Sequence, residues 1–360
     1  MKSILLFTSA LALLAGLQGT TAFAASFCEI RPGANPAPYT FNLNIGSVYV
    51  PRHASIGSVI GQLDRPFVTT TADGRYVQCE NQVGSVLAFS TVQVAPIFPN
   101  PLPPVGGEDV TGKVFQTGIA GVGVRIKLGH PFDGVAPDSF VPVAQGPTVP
   151  FSAILREPTQ DPLRIITLLG NATLIKTGPI ASGPQTVDTQ VFSTRFSQID
   201  PAFYFNVKAT VIQAQCDISV VSDNPVDLGE RRSSDFTGPG YGTIPTPFSI
   251  ALGNCESDPN DVTVAWATIR LDGVNGSVPI PDVEGGFTLT TDSDARGVAI
   301  QILRGDGITP VALGRDVPLM PISPGNTVLR LSARYYQTGD AQTIVAGEAK
   351  GSLSFTISFM

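Results

Sequence analysis

Charge is what this 360-residue sequence has least of. Asp, Glu, Lys and Arg together make up 14%, against about 25% in an ordinary soluble domain. The net charge is −7, which argues against nucleic acid or an anionic membrane as a partner. Histidine occurs only at His53 and His130, and tryptophan only at Trp266, which is expected to be a core residue. Two histidines and no closely spaced pair of cysteines leave no zinc knuckle, so neither metal nor cofactor is expected. Enzyme signatures are also missing. There is no nucleophile elbow and no metalloprotease helix, and the Gly121-x-Gly123 pair lacks both the third glycine and the following helix of a phosphate loop. No enzyme is expected, although a secreted β-sandwich hydrolase is kept as the rival from another class. No helical period of two turns is convincing, and no second apolar run reaches spanning length.

What is present begins at the N-terminus. Met1-Lys2 gives a positive start, Ile4 to Leu17 an apolar run, and Ala22-Phe23-Ala24 a small-x-small site. This is the anatomy of a secretory signal peptide, with cleavage expected after Ala24 to leave residues 25–360. Export places the four cysteines in an oxidising compartment, where an even count points to disulfides. Four cysteines allow three connectivities. The one that keeps each bridge inside one domain pairs Cys28 with Cys79 and Cys216 with Cys255, each worth roughly 4 kcal/mol in the chain-entropy model.

The length leads to an expectation of two domains. Frequent Gly and Pro, many Ser and Thr, and low charge favour a β-rich extracellular protein. Tyr39 to Ile45, Ser58 to Leu63, Tyr76 to Cys79 and Val86 to Val94 read as short strands. Five prolines between 96 and 104 and the Gly106-Gly107 pair make residues 95–108 a loop or stiff connector. Further strands are read at 114–126, Leu163–Leu168, Ala172–Lys176 and Phe203–Ile212. In the second half they are read at Ala214–Val220, from Val226 to Glu230, and at Pro247–Leu252, Val262–Ile269, Gly297–Leu303 and Val328–Tyr335.

The final stretch carries the cleanest pattern. Leu353, Phe355, Ile357 and Phe359 alternate with Ser354, Thr356 and Ser358. Because strand side chains alternate faces, one face is wholly apolar and the other hydroxylated. A terminal strand of this kind needs a partner.

These residues resemble the pilin domain of chaperone–usher (type 1-like) fimbriae. The resemblance is carried by Cys216-Asp217-Ile218, Val226-Asp227-Leu228-Gly229, Phe248-x-Ile250-x-Leu252-x-Asn254-Cys255, Gly297 to Ile302, Leu331-x-Ala333-Arg334-Tyr335 and the tail. The family places a glycine fourteen from the C-terminus and an aromatic at the penultimate position; here these are Gly347 and Phe359. The first half more loosely resembles the receptor-binding domain of two-domain tip adhesins, through Phe27-Cys28, Phe115 to Arg125 and Leu174 to Gly183.

The resemblance implies an all-β chain of two immunoglobulin-like sandwiches: an adhesin domain over 25–208 and a pilin domain over 209–360 that lacks its last strand. It implies a groove bordered by Gly347, Leu353, Phe355, Ile357, Phe359 and Met360. A periplasmic chaperone and then the next pilin subunit would fill that groove with a strand, and an outer-membrane usher would guide assembly. Basic chaperone residues would grip the Met360 carboxylate. Residues before Cys216 lead into a domain rather than a free extension, so the subunit accepts a strand without donating one. It is therefore expected at the fimbrial tip, on the bacterial surface after passage through the periplasm. The alternative is an adaptor pilin whose first domain is structural. For a carbohydrate or other surface receptor, the candidate residues are Asp73, Arg75 and Tyr76 in one loop and His130 and Asp133 in another.

Overall fold

The computed structural model describes residues 25–32, 37–144 and 146–360; the expected signal peptide lies outside them. The first half begins with β1 (Phe27–Arg31), β2 (Tyr39–Pro51), β3 (Val59–Thr70), β4 (Tyr76–Glu80) and β5 (Leu87–Gln93). Beyond the proline-rich stretch come β6 (Phe115–Gln116), β7 (Val122–Leu128), β8 (Val141–Pro142), β9 (Ser152–Leu155) and β10 (Leu163–Ile165). Three longer strands follow: β11 (Thr167–Lys176), β12 (Gln185–Phe196) and β13 (Phe203–Val221). The second half adds β14 (Thr246–Glu256), β15 (Trp266–Gly273), β16 (Gly286–Phe287) and β17 (Val298–Arg304). It finishes with β18 (Val317–Pro321), β19 (Gly325–Gln337) and β20 (Leu353–Phe359). Among the described residues, two single-turn 3-10 helices interrupt the strands, and no helix is long and apolar enough to cross a membrane.

Period-2 alternation builds the first core. In β2, Tyr39, Phe41, Leu43 and Ile45 are buried while Thr40, Asn42 and Asn44 face out. β2 lies parallel to β13, with Asn44 opposite Lys208 and Gly46 opposite Ala209, so Ile45 has no partner. This bulge needs a left-handed backbone at Gly46, whose φ is +77°. β5, β12 and β13 are neighbours in one sheet, and β3, β11 and β7 in another, around a shared apolar cluster. The Cys28–Cys79 bridge ties β1 to β4 at directly opposed positions.

β13 joins the two halves. Phe203, Phe205, Val207, Ala209 and Val211 enter the first core, whereas Ala214 belongs to the second. Two strands were expected, over 203–212 and 214–220; they are one continuous strand of 19 residues. It stays unbroken because its 203–214 stretch pairs with β2 and its 215–221 stretch with β14. The 208/209 position lies within it.

In the second half, β16, β17, β19, β14 and β13 form one sheet and β18, β15 and β20 another. Cys216–Cys255 links β13 to β14. The Val226–Glu230 segment is not a strand and joins no ladder. Trp266 is not core but 41% exposed: it starts β15 at the end of its sheet, beside Pro321 and Met360.

Candidate functional site

The alternation of the C-terminal stretch makes β20 a strand, and its inward residues join the second core. β20 pairs antiparallel with β15, placing Phe355 opposite Leu271 and Ile357 opposite Ile269. Among the described residues its other edge has no strand partner. The 215–221 part of β13 likewise pairs with β14 on one side only. A groove of about 1630 Å³ lies alongside β20, reaching from Leu353 and Phe355 to Val221 at the end of β13. Small-ligand sites occupy about 300–1,000 Å³, so this one has the scale of a polypeptide segment.

The groove floor is apolar, built from Phe248, Ile250, Leu271, Phe287, Ile300 and Leu331 on both sheets. One wall is the non-strand segment from Asp223 to Arg231, and the other runs from Ile344 to Leu353. The second wall is pinned by close packing. A Cβ at Gly347 would stand 2.7 Å from Asp294 Cβ and 2.8 Å from Ala295 N, and one at Gly351 would stand 2.6 Å from the Phe287 ring. Glycine is needed at both places so that the backbone can approach its neighbours. At the rim, Tyr335 is pushed above the usual tyrosine range, chiefly by burial and then by the nearby Asp227 carboxylate.

Of the C-terminal residues singled out in the sequence, Gly347, Leu353 and Phe355 line this groove. Ile357 packs against the core beyond it, and Phe359 is buried. The Met360 side chain is exposed, while its backbone N–H and carbonyl pair with Trp266.

The two candidate receptor loops are held differently. Arg75 Nη2 lies 2.5 Å from Asp73 Oδ2, and Arg75 Nη1 donates to the Ala37 carbonyl at 2.7 Å. The hydrogen bond from Arg75 holds the Asp73 carboxyl below its usual range. The Tyr76 ring has the Arg164 guanidinium 6.0 Å from its centroid. In the other loop, His130 Nδ1 lies 3.1 Å from Ser139 Oγ, and Asp133 Oδ1 accepts from the Val135 N–H at 3.1 Å. Its Phe132 is not an open aromatic face, because it stacks on Phe89 at 4.2 Å inside the core. Among the described residues no hydrogen bond or ion pair joins these two loops.

Sequence reasoning missed the acidic wall at Asp223, Asp227 and Glu230, since that segment read as a strand start. It also missed a buried cation. Arg125, 1% exposed, donates to Asp64 Oδ1 at 2.6 Å and to Glu108 Oε2 at 3.2 Å. The only signal for it was an arginine among the apolar residues of β7.

Comparison with known proteins adds identity to this geometry. The family model described as "Fimbrial protein" matches residues 205–360, the half that holds the groove. The chain is 26% identical over 372 residues to "Fimbria adhesin protein" of Klebsiella pneumoniae, covering 100% of both chains. It is 30% identical over 166 residues to "F17 fimbrial protein" of Escherichia coli, covering 44% of this chain and 87% of that one. Among solved structures, the CupB6 tip adhesin from Pseudomonas aeruginosa aligns over 92% of this chain and 95% of that chain at 16% identity. Its TM-score of 0.37 is too low to bear on function. This chain belongs to the fimbrial protein family and is a homologue, along its whole length, of a fimbria adhesin.

Proposed function

We propose that this protein is a fimbrial tip adhesin, exported through the periplasm and displayed on the bacterial surface. Residues 209–360 join it to the pilus by accepting a donor strand, and residues 25–208 carry a receptor-binding surface with a glycan as the ligand class. The observation that carries this reading is the apolar groove beside the unpaired edge of β20, which reaches to the end of β13 at Val221. An open sheet edge beside exposed core is an aggregation template. A strand from outside supplies main-chain hydrogen bonds to the edge and apolar side chains to the floor. A periplasmic chaperone is the first such donor and the next subunit the second, with an outer-membrane usher between them. The residues before Cys216 cannot be lent in return, because they are held in β13 by β2 and β12. That supports a place at the tip.

The test is to produce the mature chain alone, with a chaperone, and with a donor strand fused to it. Folded, soluble protein is expected only in the last two cases. A monodisperse, stable chain without either would overturn the assembly reading. The strand-fused chain is then applied to a glycan array, where specific sugar binding supports the adhesin.

One observation favours the adaptor reading instead: Asp73 and Arg75 are engaged with each other, and Phe132 is core. A blank array combined with normal pilus incorporation would support an adaptor.

A further inference from the structure

We propose that the segment filling the groove is cationic on its outward positions. This rests on the donor-strand reading and goes beyond it by giving the partner's charge. An extended segment lying along β20 turns alternate side chains inward to the floor and outward to the rim. The floor specifies apolar residues for the first set, and the rim specifies the second.

Five carboxylates line the groove, on Asp223, Asp227, Glu230, Asp292 and Glu348, against two cations, Arg231 and Lys350. Lys350 is already engaged: its Nζ lies 2.9 Å from Glu348 Oε2 and 3.5 Å from Asp292 Oδ2. Arg231 Nη1 donates to the Glu230 main-chain carbonyl, not to a carboxylate. On the opposite wall, Asp223 accepts from Ser222 Oγ and Asp227 from the Gly229 N–H. Among the described residues no cationic side chain comes within ion-pair distance of Asp223, Asp227 or Glu230. The wall therefore carries three carboxylates against the single guanidinium of Arg231, a net negative charge beside an open sheet edge. The whole-chain net charge of −7 adds to it at longer range.

A lysine or arginine on the outward face of the incoming segment meets these carboxylates; an aspartate or glutamate there is repelled. Exposed pairs are individually weak, at about 0.3–0.5 kcal/mol, so two or three of them give roughly a three- to tenfold preference. Most of it appears in the association rate, and salt screens it.

The experiment uses the full mature chain, unfolded in denaturant and diluted into three synthetic peptides. All three share one apolar alternation and carry Lys, Ser or Glu at the outward positions. Recovery of folded protein and its rate are followed at low salt and at high salt. The Lys peptide is expected to act three- to tenfold better than the Glu peptide at low salt, with the gap closing at high salt. The triple variant D223N/D227N/E230Q should erase the gap and leave the Ser peptide unchanged. Equal action of the Lys and Glu peptides in the parent chain would overturn the charge preference and leave the groove reading standing. Failure of every peptide, or full recovery without one, would overturn both.

Discussion

His53 and Phe359, 306 positions apart, exchange two hydrogen bonds across the junction between the halves. The His53 N–H donates to the Phe359 carbonyl at 2.8 Å, and the Phe359 N–H donates to His53 Nδ1 at 3.0 Å. Arg52 adds two bonds, from its N–H to the Ala214 carbonyl and from Nη1 to Gln215 Oε1. The buried Lys176 caps the Arg52 carbonyl at 2.8 Å. The end of the groove-lining strand is thereby fastened to the first half.

That fastening should depend on pH. To accept from Phe359, His53 Nδ1 must be unprotonated, with the ring proton on Nε2. Burial, followed by the Arg52 charge, lowers the His53 pKa below its ordinary value. A histidine with a depressed folded-state pKa favours the fold at neutral pH, and that contribution fades as pH falls below about 6.5. One hydrogen bond is worth about 1 kcal/mol, or about 2–4 °C in a chain of this size. Calorimetry of the strand-fused chain between pH 7.5 and 5 should show such a drop, and His53→Gln, which keeps an acceptor that does not titrate, should flatten it. An equal drop in both proteins would show that the loss comes from elsewhere.

Phe355 is the half-buried centre of the groove-side face of β20, opposite Leu271. Phe355→Ala should weaken the strand-complemented protein by about 2 kcal/mol, roughly half the cost for a fully buried ring. Phe355→Asp should abolish chaperone-dependent recovery, because it sets an unpaired charge on an apolar floor. Normal piliation by the Asp variant would sink the assignment.

Gly347 should be sensitive for a different reason. A β-branched residue there collides with the backbone at Asp294–Ala295, so Gly347→Val should cost about 1–3 kcal/mol by displacing the groove wall. Urea denaturation of the strand-fused chain measures this. A neutral result would mean that the wall tolerates a shift.

Arg125 joins β7 to the proline-rich connector, since it also reaches the Val105 carbonyl at 3.4 Å alongside Glu108. Asp64 has its carboxyl lowered by Arg125 and Lys127 against the opposing effect of burial. Arg125→Met removes the buried guanidinium's hydrogen bonds, while the exposed Asp64 and Glu108 keep Lys127 as a partner, so it should cost about 1–2 kcal/mol. Limited proteolysis should then open the chain within residues 95–114. An unchanged digestion pattern would show that the connector is held without the arginine.

Much of this was legible from residues alone. The alternations at Tyr39–Ile45 and Leu353–Phe359 named both the strands and their buried faces. β12 was not legible, because Gln185 to Gln190 gives no apolar alternation strong enough to mark it, and its pairing with β13 and β5 makes it a strand. Val226-Asp227-Leu228-Gly229 looked like a strand start and became a groove wall. Trp266 looked like core and came to lie at a sheet end.

Apolar alternation alone marks most of the strands and, in β2 and β20, the faces they bury, because strand side chains alternate faces whatever lies alongside. Which edges stay unpaired is settled by long-range pairing. An edge is defined by partners far away in the chain: β14 occupies one side of β13 and β15 one side of β20, and nothing local to either strand records that their other sides remain open.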